Sequence, residues 1–189
     1  AHSRAGLGMA RSFQNIRVFA SMTVLENVLT GLHSTITVGI AATLLRFPMF
    51  RRQEQDAVTR ARAALDLVGL AARADDRAAA LAYGDQRRLE IARAIAGHPR
   101  LLLLDEPAAG MNPAEGAALS DLIRRIRDAG TTVLLVEHDM GFVMRLADRI
   151  TVLNFGRRIA DGPPANIRRD PSVITAYLGA KVAAKLNAA

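Results

Sequence analysis

Leu101-Leu-Leu-Leu-Asp105-Glu106-Pro107 is the stretch that decides the fold class. Four consecutive aliphatic residues mark a strand covered on both faces, because a strand with one wet face would alternate. A second such run, Thr132-Val-Leu-Leu-Val136, follows, and between the two Leu119, Leu122, Ile123 and Ile126 recur at helical spacing. Strand, helix and strand in that order make a βαβ unit, so the sheet is parallel and the class is α/β. The intervening helix carries its own punctuation, with Asn112 suited to the N-cap, Pro113 to the first position and Gly130 to the stop.

Working outward from this unit, the upstream chain reads as mostly helical. Met9 to Phe13 reads as a short strand broken by Gln14 and Asn15, and the residues before it as the end of an element, so the chain is expected to begin mid-fold. Thr23 and Glu26 have capping-box spacing and open an amphipathic helix through Val24, Leu25, Val28, Leu29 and Leu32. Leu32 to Phe50 is apolar but irregular, with Gly39 and Pro48 breaking it. From Gln53, the positions Ala57, Ala61, Ala64, Leu65 and Val68 share one helical face, which Gly69 ends. Another helix opens at Gly84 with Leu89, Ala92, Ile95 and Ala96 inward. Downstream, Arg149 to Asn154 is a third apolar strand, Phe155-Gly156 turns into Arg158 to Asp161, and two short helices carry the tail.

Composition narrows the classes of function. Of 189 residues, 50% are hydrophobic and 23% charged, which is globular and excludes a disordered or collagen-like chain. Only 4% are aromatic and none is Trp, so the core must be aliphatic. The absence of Cys removes disulfides, thiol catalysis and Cys-ligated metals, and fits an intracellular compartment. Ile36 to Leu45 is the longest weakly polar stretch and ends at Arg46, short of the roughly 20 apolar residues a membrane span needs. No basic, apolar and small-residue series stands at the start, so secretion has no support. The formal charge of +7 rests on Arg, with Lys only at Lys181 and Lys185. A single basic face would suit nucleic acid, anionic lipid or phosphate, whereas basic residues scattered among acids, as here, suit a solvated surface.

Three segments carry chemistry. The strand Leu101 to Leu104 delivers Asp105 and Glu106 to its carboxyl end, where open α/β sheets bind ligands. One carboxylate there can hold Mg²⁺, and its neighbour can orient and deprotonate a water attacking a phosphoryl group. A strand that merely ends at solvent would read the same, and the motif alone does not decide. Leu81-Ala-Tyr-Gly84-Asp-Gln86 is a glycine-bearing turn running into a helix, whose N-terminal amides and dipole suit an anion. Val133 to Val136 delivers Glu137-His138-Asp139 at a second strand tip, where an imidazole could reach a γ-phosphate, although a lone His is usually a surface residue.

Taken together, in this order and spacing, the segments resemble the ATP-binding subunits of ABC transporters. Leu81 to Gln86 looks like the family's signature loop, Leu101 to Glu106 like its Walker B strand, Ala108 to Asn112 like its D-loop and His138 like its switch histidine. Phe13-Gln14 resembles the Q-loop, whose glutamine senses Mg²⁺ and the attacking water. Finer wording is similar to the branched-chain amino-acid importer group: Ala10-Arg-Ser-Phe-Gln14, Thr23-Val-Leu-Glu-Asn27, Leu81 to Glu90, Asp105-Glu-Pro-Ala-Ala-Gly110, Glu137-His-Asp-Met140 and Ala176-Tyr-Leu-Gly179. A lipopolysaccharide-export ATPase shares much of this wording, but the ending and the insertion from Leu32 to Gln53 favour the importer. A DNA-associated ABC ATPase is disfavoured because no heptads appear. The remaining rival is a non-catalytic, truncated or degenerate subunit.

The resemblance implies a P-loop NTPase core of the ABC ATPase type, partial, with an inserted helical subdomain. Its divisions would be 1–21 (core remnant with the Q-loop), 22–97 (helical subdomain ending in the signature helix), 98–162 (ATPase core) and 163–189 (helical tail). It implies ATP and Mg²⁺ as ligands, with Asp105 and Gln14 serving the metal, Glu106 the water, and Gln14 and His138 the γ-phosphate. Tyr83, Gly84, Asp85, Gln86 and Asn112 would contact nucleotide, the signature residues acting across a dimer of ATPase subunits. The helical subdomain would dock on a membrane-spanning permease at the cytoplasmic face of the inner membrane, with residues around Leu44 to Phe50 either contacts or subdomain core, and with no nucleic-acid partner. Two departures stand out. Ala82 and Tyr83 replace the usual signature Ser and Gly, and no G-x-x-x-x-G-K-[ST] occurs, so the chain looks like one lacking its amino-terminal third and is expected to be inactive alone.

Overall fold

The computed structural model describes residues 7–12, 17–32 and 48–178. The chain divides into two compact units, Ala1–Glu137 and His138–Ala189.

In the first unit, strands β1 (Met9–Arg11), β2 (Leu101–Asp105) and β3 (Thr132–Val136) form a parallel sheet in the order β1-β2-β3, with Leu101 opposite both Met9 and Thr132. The βαβ expectation holds, and β2, in the middle, buries Leu102 and Leu104 completely, whereas β3, expected to be covered on both faces, leaves Leu134 and Val136 more than half exposed because no described strand lies beyond it. Met9 to Arg11 is strand as expected; Ser12 continues toward β2 through its N–H on the Leu103 carbonyl at 2.9 Å, and Phe13 lies outside the described residues. The crossover helix, Pro113–Asp128, buries the four predicted residues and starts at the predicted cap: Asn112 Oδ1 accepts the Ala114 and Glu115 N–H groups, and Glu115 Oε2 accepts the Asn112 N–H. Ala129 ends it, and Gly130, at φ +98°, adopts the left-handed conformation that glycine takes without a Cβ penalty.

Among the described residues, the α-helices of this unit in chain order are α1 (Val24–Gly31), α2 (Pro48–Leu67), α3 (Tyr83–Ile95) and the crossover helix, α4. The Thr23–Glu26 capping box forms as expected, and the Thr23 backbone N–H holds the Glu26 carboxyl below its usual value. All five apolar positions expected on one face of α2 are buried. Its described part begins at Pro48, and the rest of the irregular apolar stretch, residues 33–47, lies outside the described residues. Helices α1, α2 and α3 pack against one another, and α1 meets α3 so closely that a Cβ on Gly31 would overlap the Arg93 carbonyl oxygen. Asn27, fully buried, donates to the Phe19 and Thr23 carbonyls and accepts the Phe19 N–H, clamping residues 17–19 to α1.

In the second unit α5 (Met140–Leu146) is followed by β4 (Ile150–Asn154) and β5 (Arg157–Gly162), then by α6 (Pro164–Ile167) and α7 (Pro171–Leu178). The third apolar strand and the Phe155-Gly156 turn are confirmed, and β4 and β5 pair antiparallel as a two-stranded ribbon. Its core is Ile150, Val152, Ile167 and Val173, with Met140, Met144 and Ile159 packed against it. No helix among the described residues is long and apolar enough to cross a membrane.

Candidate functional site

Strand β2 ends on the two carboxylates that the sequence singles out. Asp105 is its last residue, and Arg11 on β1 donates to its Oδ2 at 3.1 Å. Glu106 takes a left-handed φ of +44°, unusual for a residue with a Cβ, while its N–H binds the Val136 carbonyl at 2.9 Å. Beyond the turn, the Ala108 N–H binds Glu137 Oε1 at 3.1 Å. The tips of β2 and β3 are therefore tied twice, once by backbone and once by the Glu137 carboxylate, and the carboxylate pair sits on a braced turn.

The glycine-bearing turn Leu81–Gln86 meets the loop that follows those carboxylates. Tyr83 donates its hydroxyl to the Ala109 carbonyl at 3.1 Å, and its ring lies over Gly110, which adopts φ +76°. Behind Gly84 stands Glu115, close enough that a Cβ on the glycine would lie 3.4 Å from Oε1. A cavity of about 180 Å³ opens here, lined by Ala82, Gly84, Asp85, Arg88, Met111 and Glu115 among others. Ala82 is the N-cap of α3 and contributes no side-chain cap, so the first-turn amides have no hydroxyl to satisfy them, an arrangement an anion could complete.

The remaining predicted residues are placed as follows. Asp85 receives Arg73 at 3.4 Å and Arg88 at 3.5 Å, and Gln86 donates to the Leu81 carbonyl at 3.0 Å, so both shape the turn. The Asn112 side chain is the cap of α4. His138 belongs to the second unit, where its carbonyl accepts the Tyr177 hydroxyl at 2.9 Å and the next residue, Asp139, caps α5 by accepting the Phe142 N–H. Gln14 lies outside the described residues, as do Leu44 to Phe47. The structure thus joins the glycine-bearing turn, the carboxylate turn and the start of α4 into one face of the first unit.

Four groups escaped the sequence reading. Arg11 pairs with Asp105; Glu115 and Glu137 hold backbone amides; and Arg87 with Glu90 form a fully buried ion pair at 2.8 Å on α3. Only Glu115 had a signal, the Asn-x-x-Glu spacing of a capping box.

A larger groove of about 790 Å³ lies between β1, α1 and α3, lined in part by Met9, Phe19, Thr30, Glu90 and Arg93. The Arg93 guanidinium lies 5.8 Å from the centre of the Phe19 ring, and burial pushes it below the usual arginine value, with Glu90 opposing the shift.

Comparison with known proteins agrees with these features. Residues 1–109 match the family model described as ABC transporter, and residues 157–183 match that of the branched-chain amino acid ATP-binding cassette transporter. The chain is 49% identical over 176 residues to the high-affinity branched-chain amino acid transport ATP-binding protein LivG of Escherichia coli, covering 93% of this chain and 69% of LivG. The lipopolysaccharide export system ATP-binding protein LptB of Acidithiobacillus ferridurans is 34% identical over 178 residues, covering 94% of this chain and 68% of LptB. Among solved structures, the ADP conformation of MJ1267, an ATP-binding cassette of an ABC transporter, superposes with a TM-score of 0.77 at 27% identity, over 94% of this chain and 71% of that one. By its matched sequence, its α/β fold and its carboxylate-tipped central strand, the chain belongs to the ATP-binding, ATP-hydrolysing subunits of ABC transporters, in their branched-chain amino-acid group.

Proposed function

We propose that the chain supplies the signature turn, the catalytic carboxylate and the switch histidine of an ATPase that drives import of branched-chain amino acids through a permease, from the cytoplasmic face of the membrane. ABC ATP-binding subunits work with membrane permease components. The observation that carries the reading is the braced turn at the end of β2, where Asp105 and Glu106 stand side by side on a strand tip fastened to its neighbour.

Glu106 orients and deprotonates the water that attacks the γ-phosphate, and Gln14 and His138 face that phosphate. The amides at the start of α3, with Tyr83, Gly84, Asp85 and Gln86, face the nucleotide held by a second ATPase subunit, and Asn112 sets the adjoining loop. The donor chemistry at Asp105 suits Mg²⁺, which takes hard oxygens and commonly uses one or two carboxylates beside phosphate oxygens and water. No larger cluster of acidic, His or Cys side chains gathers among the described residues. Asp105 and Gln14 would hold the ion, which when bound neutralises charge on the phosphate oxygens. Arg11 keeps the Asp105 carboxylate at the β1 side of the strand tip. The groove carrying Phe19 and Arg93 suits contact with the permease, since it offers an apolar wall and a half-buried cation.

The test is Glu106→Gln in the importer ATPase that carries this chain, assembled with its permease in leucine-loaded vesicles. Hydrolysis is expected to fall about a hundred-fold or more while ATP stays bound, since losing a general base removes proton transfer and leaves electrostatic binding. Normal hydrolysis by Glu106→Gln would move the water-activating role elsewhere, and transport of lipopolysaccharide in place of leucine would overturn the importer reading.

A further inference from the structure

Ala176-Tyr-Leu-Gly179 takes no part in the function proposed above, yet Tyr177 touches the switch residue. Within the unit His138–Ala189, its hydroxyl donates to the His138 carbonyl at 2.9 Å across 39 positions of sequence. The ring lies along a groove of about 460 Å³ beside Met140, Met144, Val173 and Ile174. Val173, one turn earlier on α7, is buried in the core with Ile150, Val152 and Ile167, which anchors the helix that carries the tyrosine. On the other side of His138, Asp139 Oδ1 accepts the Phe142 N–H at 3.0 Å and fixes the start of α5. The backbone of His138 is thereby held from two directions, by α7 through its own carbonyl and by α5 through the next residue. Because the rotamers open to a side chain follow from its backbone dihedrals, a carbonyl held in place restricts where the imidazole can point.

We propose that Tyr177 is a positioning residue for His138, so that the last turn of α7 sets the switch histidine. This rests on the reading of His138 as the group that faces the γ-phosphate. The ring is half exposed and water competes for the carbonyl, so the bond biases the backbone rather than locking it.

The experiment compares Tyr177→Phe, His138→Ala and the double variant in the importer ATPase that carries this chain, assembled with its permease, with phosphate release followed against Mg-ATP concentration. Tyr177→Phe keeps the ring in its groove and removes only the hydroxyl, so the melting temperature is expected to stay within about 2 °C of wild type. Its kcat is expected to fall about two- to ten-fold, the population change that one net hydrogen bond supports, with KM for Mg-ATP within about two-fold. In the His138→Ala background the same substitution is expected to produce no further fall, because it acts through the imidazole that is gone. An equal fall in that background, or an unchanged kcat in Tyr177→Phe, would overturn the positioning role while leaving the switch role of His138 standing. Unchanged turnover in His138→Ala alone would overturn the switch role, and this inference with it.

Discussion

Glu90→Gln is expected to cost this protein far more than a surface substitution. Glu90 is 2% exposed and Arg87, one helical turn before it on α3, is 0% exposed, with Arg87 Nη1 2.8 Å from Glu90 Oε2. Around them Leu89, Ile91, Ala92 and Ile95 are also buried, so the guanidinium has given up its water in exchange for the carboxylate. Removing one partner of such a pair leaves a buried charge poorly compensated, which costs about 3–5 kcal/mol. Domains keep only about 5–15 kcal/mol of net stability, and in a chain of this size each kcal/mol moves the melting temperature by about 2–4 °C. The expected drop is therefore roughly 6–20 °C. Replacing both residues by apolar ones of similar volume, Arg87→Met with Glu90→Leu, is expected to be neutral or stabilising, because the desolvation cost of both ions disappears. Thermal and urea melts by circular dichroism of wild type, both single variants and the double variant provide the measurement. A Glu90→Gln melt within about 2 °C of wild type would refute the argument, since it would mean that water or the other contacts of Arg87 compensate its charge once the carboxylate is gone. The consequence reaches the site, because α3 begins at the turn that carries Gly84.

Three further outcomes are expected. The 189-residue chain by itself should release no phosphate from Mg-ATP above background, because it contains no P-loop motif to hold the β- and γ-phosphates; turnover that disappears in Glu106→Gln would contradict this. It should also self-associate as its concentration rises, since among the described residues β3 is the edge of its sheet, with Leu134 55% and Val136 58% exposed, and Leu134→Lys with Val136→Thr should reduce this on size-exclusion chromatography; a wild-type monomer at every concentration would count against it. Finally, a hydrogen bond from Arg149 holds the Asp161 carboxyl below its usual 3.8, so the bond contributes stability above that value and loses it as pH falls through the lowered one. Melts taken from about pH 5 to about pH 2 should show a shallower acid limb in Asp161→Asn than in wild type, and identical limbs would rule the linkage out.

Which parts of this protein were open to reading from sequence follows from the range of the physics involved. The βαβ unit, the Thr23–Glu26 capping box, the Asn112 cap, the buried faces of α2, α3 and α4 and the turn between β4 and β5 were all legible, because apolar periodicity, cap chemistry and turn residues act within a few positions of chain. The same locality made Asp105 and Glu106 conspicuous at the end of an apolar strand, and it took the neighbouring segments to separate a site from a strand that merely ends at solvent.

The sequence by itself therefore determined the α/β class and the family, and it singled out the segments from which the candidate site is built. Only tertiary structure decided what holds those segments, because the partners are distant in sequence and depend on how the sheet and helices are packed. Arg11 meets Asp105 across 94 positions once β1 lies beside β2, and Tyr83 meets Ala109 across 26 once α3 is set against the loop after β2. Glu90 reads as a solvated letter in an amphipathic helix until packing buries it beside Arg87, and Tyr177 as an unremarkable end of a helix until α7 brings it to His138. In each case the side chain's chemistry was visible from the start. The partner that gives it a role is supplied by packing, which buries the pair, excludes water and makes the contact count.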